Sequence, residues 1–230
     1  MNNHFLKTIY FDNTNLQEKY IENIDIFKDI SELELEEKIT YFVGENGTWK
    51  STLLESIAES FWFNKEWWTI NSNYKTNKTD NIENNWIKLS WQPTRFKNWY
   101  FFRAEWVYNF VNYLEGLEDW FDPYWWENLH KFSHWQQFMK IFESMMDRVW
   151  FYILDEIESA LSPANQLKVV EIIKYMVFNW SQFLIATHSP IILSIKQDSQ
   201  ILSFDYWTIS KIEYDMVPCV DMYKRILLNK

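Results

Sequence analysis

The sequence predicts an α/β fold with a mostly parallel central sheet flanked by helices. Short apolar runs at residues 39–43, 150–154 and 182–186 are rich in β-branched and aromatic residues and have the pattern of strands buried on both faces. Between them, residues 51–61 and 163–178 carry apolar side chains at helical spacing. Alternation of strands and helices is typical of a parallel sheet that is covered by helices.

The other segments complete this pattern less strongly. Residues 5–11, 86–90 and 99–103 are predicted strands, and residues 64–85 a polar loop. Residues 104–117 and 134–147 are predicted helices, so a small helical lobe is expected over about 104–147 within a single domain spanning 1–230. The last 40 residues are predicted to form short strands and a terminal helix.

Composition excludes several classes of protein. The formal net charge of −10 argues against a broad nucleic-acid surface, although a local basic patch or a DNA-binding partner stays open. The single cysteine, Cys219, allows no internal disulfide and fits a reducing compartment. No apolar run approaches the roughly 18 residues of a membrane span, and the N-terminus has no apolar core of signal-peptide length. We therefore expect a cytoplasmic protein without membrane insertion.

A phosphate-binding loop is predicted directly after the strand at 39–43. Its eight residues fit the pattern G-x-x-x-x-G-K-[ST] at seven positions, between a strand and a helix. In such loops backbone N–H groups cradle phosphates, the lysine reaches the β- and γ-phosphates, and the hydroxyl holds Mg²⁺. The alternative is an ordinary turn with a chance Lys-Ser pair. The predicted ATP-binding residues are Gly44, Glu45, Asn46, Gly47, Thr48, Trp49, Lys50, Ser51 and Thr52.

Trp49 is the one position that departs from this pattern. Glycine is expected there because the backbone must approach the phosphates closely, and an indole would occupy their space. Taken literally, this tryptophan should cripple nucleotide binding.

A second set of candidate residues follows the strand at 150–154. Asp155 stands where a Walker B aspartate would hold the Mg²⁺ shell, and Glu156 where a general base would polarise the attacking water. The alternative is an acidic helix start, since carboxylates are favourable at helix N-termini.

A histidine, His188, follows the next buried strand within Thr187-His188-Ser189-Pro190. A lone histidine is more often structural than functional. Its place after a Walker B-like strand, a helix and another buried strand favours a functional role. In this place it resembles the switch histidine that contacts the γ-phosphate.

Together these motifs resemble a group of small bacterial AAA-type ATPases related to ABC and SMC proteins. Residues 132–136 (FSHWQ) are similar to a variant ABC signature, 159–162 (SALS) to a D-loop, and 100–105 (YFFRAE) to a family strand. The resemblance implies a P-loop NTPase fold. It also implies a nucleotide-sandwich homodimer in which Lys50, Ser51, Asp155, Glu156 and His188 act in cis. Ser133 would bind the γ-phosphate in trans, with a chance helix cap as its alternative.

The resemblance also bears on the metal site and on the size of the protein. Glu105 would link Mg²⁺ to the helical lobe, with Gln92 as the competing candidate. The separation between Gly44 and Asp155 is too short for coiled-coil arms of the SMC kind.

Tryptophan and glycine are present in abnormal numbers, with 15 Trp and 3 Gly. Average usage of about 7% predicts roughly 16 glycines in a chain of this length. Trp49, Trp135, Trp150 and Trp180, with the pairs at 67–68 and 125–126, fall where the resembling proteins tend to have glycine or turns. Some bacterial lineages read the codon UGA as glycine, so one hypothesis is that most of these tryptophans are glycines in the native protein. The alternatives are a degenerate pseudo-ATPase with real tryptophans, or a mixture.

The leading hypothesis is an ATP-hydrolysing homodimer. The alternatives are a non-catalytic nucleotide-binding switch, the nucleotide-binding subunit of a transporter, and, by analogy alone, a DNA-maintenance or defence ATPase. The sequence names neither a protein partner nor the work that an ATP cycle would perform.

Overall fold

Two β-sheets and four α-helices organise the part of the chain that the computed structural model describes. The described residues are 5–12, 25–60, 86–92, 99–103, 136, 139–140, 142–143, 145–147 and 149–228. In chain order the elements are β1 (Leu6–Phe11), α1 (Asp25–Lys28), β2 (Glu32–Glu34), β3 (Ile39–Val43), α2 (Lys50–Ser60), β4 (Ile87–Trp91), β5 (Trp99–Arg103), β6 (Phe151–Asp155), α3 (Pro163–Phe178), β7 (Gln182–Ala186), β8 (Ser199–Ser203), β9 (Ser210–Ile212) and α4 (Pro218–Leu228).

The larger sheet has six strands in the order β5-β6-β7-β3-β8-β9. All neighbouring pairs are parallel except β8 and β9, which are antiparallel. The predicted mostly parallel sheet is therefore confirmed. Arg103 lies opposite Asp155, and Asp155 opposite Ala186, so the carboxyl ends of β5, β6 and β7 meet at the same edge. Functional residues of α/β proteins commonly lie at this edge.

A smaller antiparallel sheet, in the order β2-β1-β4, packs beside the larger one. The sequence indicated strands β1 and β4 but not their pairing. Strand pairing depends on contacts between residues far apart in the chain, and local patterns do not encode those contacts.

Alternating side chains of the central strands supply two apolar cores, one on each face of the larger sheet. On β3, Tyr41 packs with residues of α3, whereas Phe42 packs with α2 and the smaller sheet. This alternation follows from the two-residue period of a strand. The two helices thus cover opposite faces, as predicted for a buried parallel sheet.

Most predicted bounds agree with the structure. The strands at 39–43 and 182–186 and the helix at 163–178 have the bounds that the sequence predicted. Within the described part of the chain no helix is both long and apolar enough to cross a membrane. The predicted loop up to residue 85 and most of the predicted helical lobe lie outside the described residues.

Helix α3 ends in a geometry that favours glycine. The N–H of Ser181 donates to the carbonyl of Met176 (2.9 Å), and the N–H of Trp180 donates to the carbonyl of Val177 (3.1 Å). These two bonds define a Schellman motif, in which the C′ residue adopts a left-handed conformation and is usually glycine. Here Trp180 occupies that position with a φ of 73°.

The tight turn between β8 and β9 contains a second tryptophan with positive φ. Tyr206 and Trp207 have φ values of 58° and 61°, and the N–H of Thr208 donates to the carbonyl of Asp205 (3.4 Å). Positive φ at both central residues of a turn favours glycine, because a side chain with a Cβ atom is strained in this conformation. Among the seven described tryptophans, Trp49, Trp180 and Trp207 have positive φ.

Replacing Trp180 by glycine should stabilise the fold. A left-handed non-glycine residue costs about 1–2 kcal/mol, and the substitution loses the contact of the Lys38 ammonium with the indole (4.7 Å), worth about 0.5–1 kcal/mol. We expect Trp180→Gly to raise the free energy of unfolding in urea by about 0.5–1 kcal/mol.

Trp91→Gly is the matched control. Trp91 is also partly exposed, at 46% against 59% for Trp180, but it lies in strand β4 without a positive φ. Glycine should destabilise a strand position, by roughly 0.5–1 kcal/mol. Equal effects of the two substitutions would contradict the role assigned to the backbone conformation.

Candidate nucleotide-binding site

The loop that joins β3 to α2 is shaped by residues with positive φ. Gly44 and Gly47 have φ values of 144° and 80°, and Trp49 has a φ of 69°. A Cβ atom on Gly44 would lie 3.0 Å from the Thr48 hydroxyl and 3.2 Å from a carboxylate oxygen of Asp205. Glycine is therefore required at Gly44 both by its conformation and by its surroundings. The Trp49 side chain is half-buried and packs beside the apolar core under α2.

The Lys50 side chain forms hydrogen bonds with several oxygen atoms of this loop. Its ammonium donates to the carbonyls of Gly44 (2.7 Å) and Glu45 (2.8 Å) and to the hydroxyl of Thr48 (3.2 Å). Burial lowers the pKa of Lys50, and the nearest carboxylates, first that of Glu156, oppose this change. The ammonium therefore lies at the centre of the loop in a partly desolvated position, where an anion is a favourable partner.

Asp205, which the sequence analysis did not single out, supports the loop from the neighbouring strand. It lies just beyond β8, and its Oδ1 accepts the backbone N–H of Glu45 (3.0 Å). Its Oδ2 accepts the hydroxyl proton of Ser203 (2.9 Å). Because β8 is parallel to β3 and ends opposite Val43, the first residues of the loop are held against a second strand end.

Asp155 lies at the end of β6 and faces the first turn of α2. The hydroxyl of Ser51 donates to its Oδ1 (3.0 Å), and the guanidinium Nε of Arg103 lies 3.0 Å from its Oδ2. The side chain is 1% exposed. Burial raises the pKa of Asp155 to about 6, while the charge of Arg103 and the bond from Ser51 oppose the rise. At neutral pH the group is therefore mostly an ionised, buried carboxylate.

Arg103 links this carboxylate to α2. Besides Asp155, its guanidinium pairs with Glu55 (2.6 Å), which lies one helical turn beyond Ser51. The sequence analysis included Arg103 in the family-like strand but gave it no role. The sequence could have indicated a role for Arg103, because it is a cation at the end of a predicted strand. Only the register of β5 against β6 shows that it pairs with Asp155.

Glu156 and His188 face each other across the ends of β6 and β7. The His188 Nε2 lies 3.7 Å from Glu156 Oε1, and both side chains are partly exposed. Glu156 has a left-handed conformation with φ 49° and ψ 42°. Non-glycine residues in this region are uncommon and cluster at functional sites. The backbone N–H of Glu156 donates to the carbonyl of Ala186 (3.0 Å), which ties the two strand ends together.

The oxygen donors around Ser51 fit Mg²⁺ of the kind that P-loop proteins hold. Mg²⁺ is usually bound by one or two protein oxygens together with waters and substrate phosphates, not by an all-protein cage. The Ser51 hydroxyl and the Asp155 carboxylate, joined at 3.0 Å, provide such a pair. Within the described ranges, no group of three or more His, Cys, Asp or Glu side chains could hold a metal ion by itself.

The remaining predicted site residues divide into two groups. Thr52 lies in the first turn of α2 and is half-buried, directly after the loop. Gln92 lies just beyond β4 in the smaller sheet, where its N–H donates to the carbonyl of Phe5 (2.9 Å). Ser133 and Glu105 lie outside the described residues, so their predicted roles stay predictions.

Comparison with known proteins assigns the fold. No family model matches the sequence, and no curated protein is significantly similar to it. The chain is similar to the SMC head domain from Thermotoga maritima, with a TM-score of 0.52 and 16% identity over 91% of this chain and 99% of that domain. It is also similar to a protein described as a metal-chelate type ABC transporter, with a TM-score of 0.45 and 15% identity over 80% and 75% of the two chains.

The fold is therefore similar to that of the SMC head domain. The match to the SMC head covers nearly the whole of both chains.

Asp155 predicts an unusual pH dependence of stability. Its pKa is raised from 3.8 to about 6 in the folded state, so between these values the folded protein binds a proton that the unfolded chain has lost. The contribution of Asp155 to the free energy of unfolding is fully present below about pH 4. It is lost as pH rises through about 6. It amounts to on the order of 2–3 kcal/mol.

The measurement is the free energy of unfolding of the unsubstituted protein and of Asp155→Asn at several pH values, with EDTA to exclude metal ions. As pH rises from 4 to 7, the free energy of unfolding of the unsubstituted protein should fall relative to that of Asp155→Asn. A difference that does not change with pH would show that burial leaves the acidity of this carboxyl unaltered.

Proposed function

We propose that this protein is a P-loop ATPase that binds ATP with Mg²⁺ and hydrolyses it. The observation that carries the proposal is the convergence of Lys50, Ser51, Asp155, Glu156 and His188 at one edge of the parallel sheet. The sequence predicted a role in ATP chemistry for each of these residues, from three separate segments. An SMC-like and ABC-like fold adds independent support.

In this proposal the loop at 44–51, including Lys50, binds the phosphates. The Lys50 ammonium now satisfies two loop carbonyls and a hydroxyl, and the negative charge of a β- or γ-phosphate is a stronger partner for it. Ser51 and Asp155 would hold Mg²⁺, which would neutralise charge on the phosphates when bound. Arg103 keeps Asp155 ionised and oriented, because it is the largest influence that opposes the raised pKa of this carboxyl.

Glu156 orients the attacking water in this proposal. Its carboxylate is partly exposed and therefore reachable by water, unlike that of Asp155. The Glu156 carboxylate lies 3.7 Å from the Nε2 atom of His188, at a residue with a left-handed backbone conformation. His188 contacts the γ-phosphate and faces the same water. Catalysis is then mostly positioning and charge stabilisation, as is usual for phosphoryl transfer.

The complete site requires a second copy of the chain. Ser133 would contribute from the partner subunit, and the segment 159–162 would cross the dimer interface. Support comes from the resemblance to ATPases that sandwich nucleotide between two heads. We place the protein in the cytoplasm on its composition, and we leave open whether DNA or another protein is the object of the ATP cycle.

We also propose that Trp49, Trp180 and Trp207 are glycines in the native protein. All three have positive φ, in a phosphate loop, a helix C′ position and a tight hairpin turn. These are three different structures that share only a preference for glycine. Trp86 adds a different argument: its indole N–H is buried and has no hydrogen-bond partner among the described residues, whereas buried tryptophans usually have one. On this proposal the phosphate loop is intact.

ATP turnover tests the proposed function directly. The Trp49→Gly protein should hydrolyse ATP in the presence of Mg²⁺. Adding Glu156→Gln to it should lower kcat by about 10²-fold or more, while leaving a stable ATP-bound dimer. Turnover is measured by phosphate release and association by light scattering, with and without ATP.

The matched control for the charge change is Glu171→Gln, an exposed glutamate of α3 that pairs with Lys174. This control should leave turnover unchanged. If Trp49→Gly binds ATP but Glu156→Gln does not slow hydrolysis, Glu156 does not orient the water. If Trp49→Gly binds no ATP at all, the proposed function is wrong.

Peptide mass spectrometry of protein purified from its native host tests the identity of the tryptophans. Peptides that contain residues 49, 180 and 207 should have the mass expected for glycine at each position. Trp150 lacks positive φ but is also among the tryptophans at glycine-like positions, so its peptide shows whether the replacement extends beyond the positions with positive φ. Tryptophan at residue 49 would instead favour a nucleotide-free or non-hydrolysing switch module.

A further inference from the structure

We infer that Glu158 is a positioning residue that holds His188 beside Glu156, at the edge of the sheet where the catalytic residues are proposed to lie. This inference rests on the proposed function. The sequence analysis gave Glu158 no role, and it would ordinarily be regarded as one of several acidic residues at a helix start. The structure instead turns its side chain inward, towards the loop that follows β7.

The contact that carries the inference is short and charge-assisted. Oε1 of Glu158 accepts the backbone N–H of His188 at 2.6 Å, between residues 30 positions apart in the chain. Charge-assisted hydrogen bonds of this kind are about twice as strong as neutral ones. The other carboxylate oxygen, Oε2, is shielded from solvent. Burial raises the pKa of Glu158, and the bond from His188 opposes the rise.

The position of this bond relative to Glu156 gives it a functional meaning. Glu156 and Glu158 belong to one short segment, and both face the segment 186–188. The N–H of Glu156 donates to the carbonyl of Ala186, the Glu156 side chain faces the His188 ring, and Glu158 holds the His188 backbone. Three contacts thus fix the histidine against the carboxylate that is proposed to orient water.

The remainder of the His188 loop is fixed by neutral hydrogen bonds. The hydroxyl of Ser189 donates to Gln166 (2.6 Å), and the amide of Gln166 donates to the carbonyl of Leu161 (3.0 Å). Leu161 lies in the D-loop-like segment that follows Glu158. The loop is therefore anchored at His188 by Glu158, which lies between β6 and α3, and at Ser189 by Gln166 of α3.

The chemistry of the bond distinguishes between two substitutions. Alanine at residue 158 removes the acceptor and leaves the N–H of His188 unpaired. Glutamine keeps a carbonyl oxygen that can accept the same proton, although it loses the charge. A residue that acts by positioning should therefore be rescued largely by glutamine, whereas one that acts by charge should not.

The test compares Glu158→Ala, Glu158→Gln and the control Glu171→Ala, all in the Trp49→Gly protein. Misplacement of a catalytic group by about 1 Å can reduce the rate by about 10²-fold. We expect Glu158→Ala to lower kcat by about 10- to 10²-fold, with the affinity for a fluorescent ATP analogue changed less than about twofold. Glu158→Gln should recover most of the loss, and Glu171→Ala should change neither quantity.

A double substitution tests whether Glu158 acts through His188. Residues that act as a unit have strongly non-additive effects. Glu158→Ala should therefore slow His188→Ala only slightly, although it slows the parent protein strongly. Additive losses, or equal damage from alanine and glutamine at residue 158, would overturn the inference.

Hydrogen–deuterium exchange separates this inference from the proposed function. The His188 amide should exchange faster in Glu158→Ala than in the parent or in Glu158→Gln, whether or not the protein hydrolyses ATP. Faster exchange together with a parent that binds no ATP would support the anchoring and reject the ATPase. Unchanged exchange would reject the anchoring itself, whatever the turnover.

Discussion

The parallel register of β5, β6 and β7 is the constraint on which the rest of the site depends. Since Arg103, Asp155 and Ala186 are paired across these strands, the residues that follow them must emerge at one edge. β3 lies between β7 and β8, so the phosphate loop emerges at the same edge. The strands bury both faces in close-packed apolar cores, so a slip of register would exchange the side chains of the two cores and disturb the packing of both.

Electrostatic balance at this edge follows from burial. Asp155 is nearly inaccessible, and an isolated buried carboxylate would be too costly to keep ionised. Arg103 and Ser51 supply the compensation, and Arg103 in turn pairs with Glu55 on α2. The helix that follows the phosphate loop is thereby attached to the strand that ends in the candidate Mg²⁺ ligand. Loop, helix and carboxylate therefore form a single unit.

Backbone conformation bears directly on the abnormal composition. Bulky tryptophans occupy the loop between β3 and α2, a helix C′ position and a turn between β8 and β9, and all three backbones have the conformation that glycine adopts without cost. The fold is similar to that of an SMC head domain even though the sequence contains only 3 glycines. Local geometry at these positions is thus imposed by hydrogen bonds of the surrounding chain, such as those from Trp180 and Ser181 to α3.

The sequence by itself determined the α/β class and the succession of central strands and helices along the chain. It also determined the segments that carry Lys50, Asp155, Glu156 and His188. These are local properties, because apolar runs, helical spacing and short motifs are contained within a few neighbouring residues. Even the helix at 163–178 had its bounds predicted, since Pro163 marks its start.

Only the tertiary structure decided which distant groups meet. The pairing of Arg103 with Asp155, the support of Glu45 by Asp205 and the bond from His188 to Glu158 each join segments many residues apart. Of the smaller antiparallel sheet the sequence likewise indicated only β1 and β4, and neither β2 nor the pairing of the three strands. The physical reason is the same in each case: strand order and register are set by burial of the whole sheet, and no short stretch of sequence contains that information.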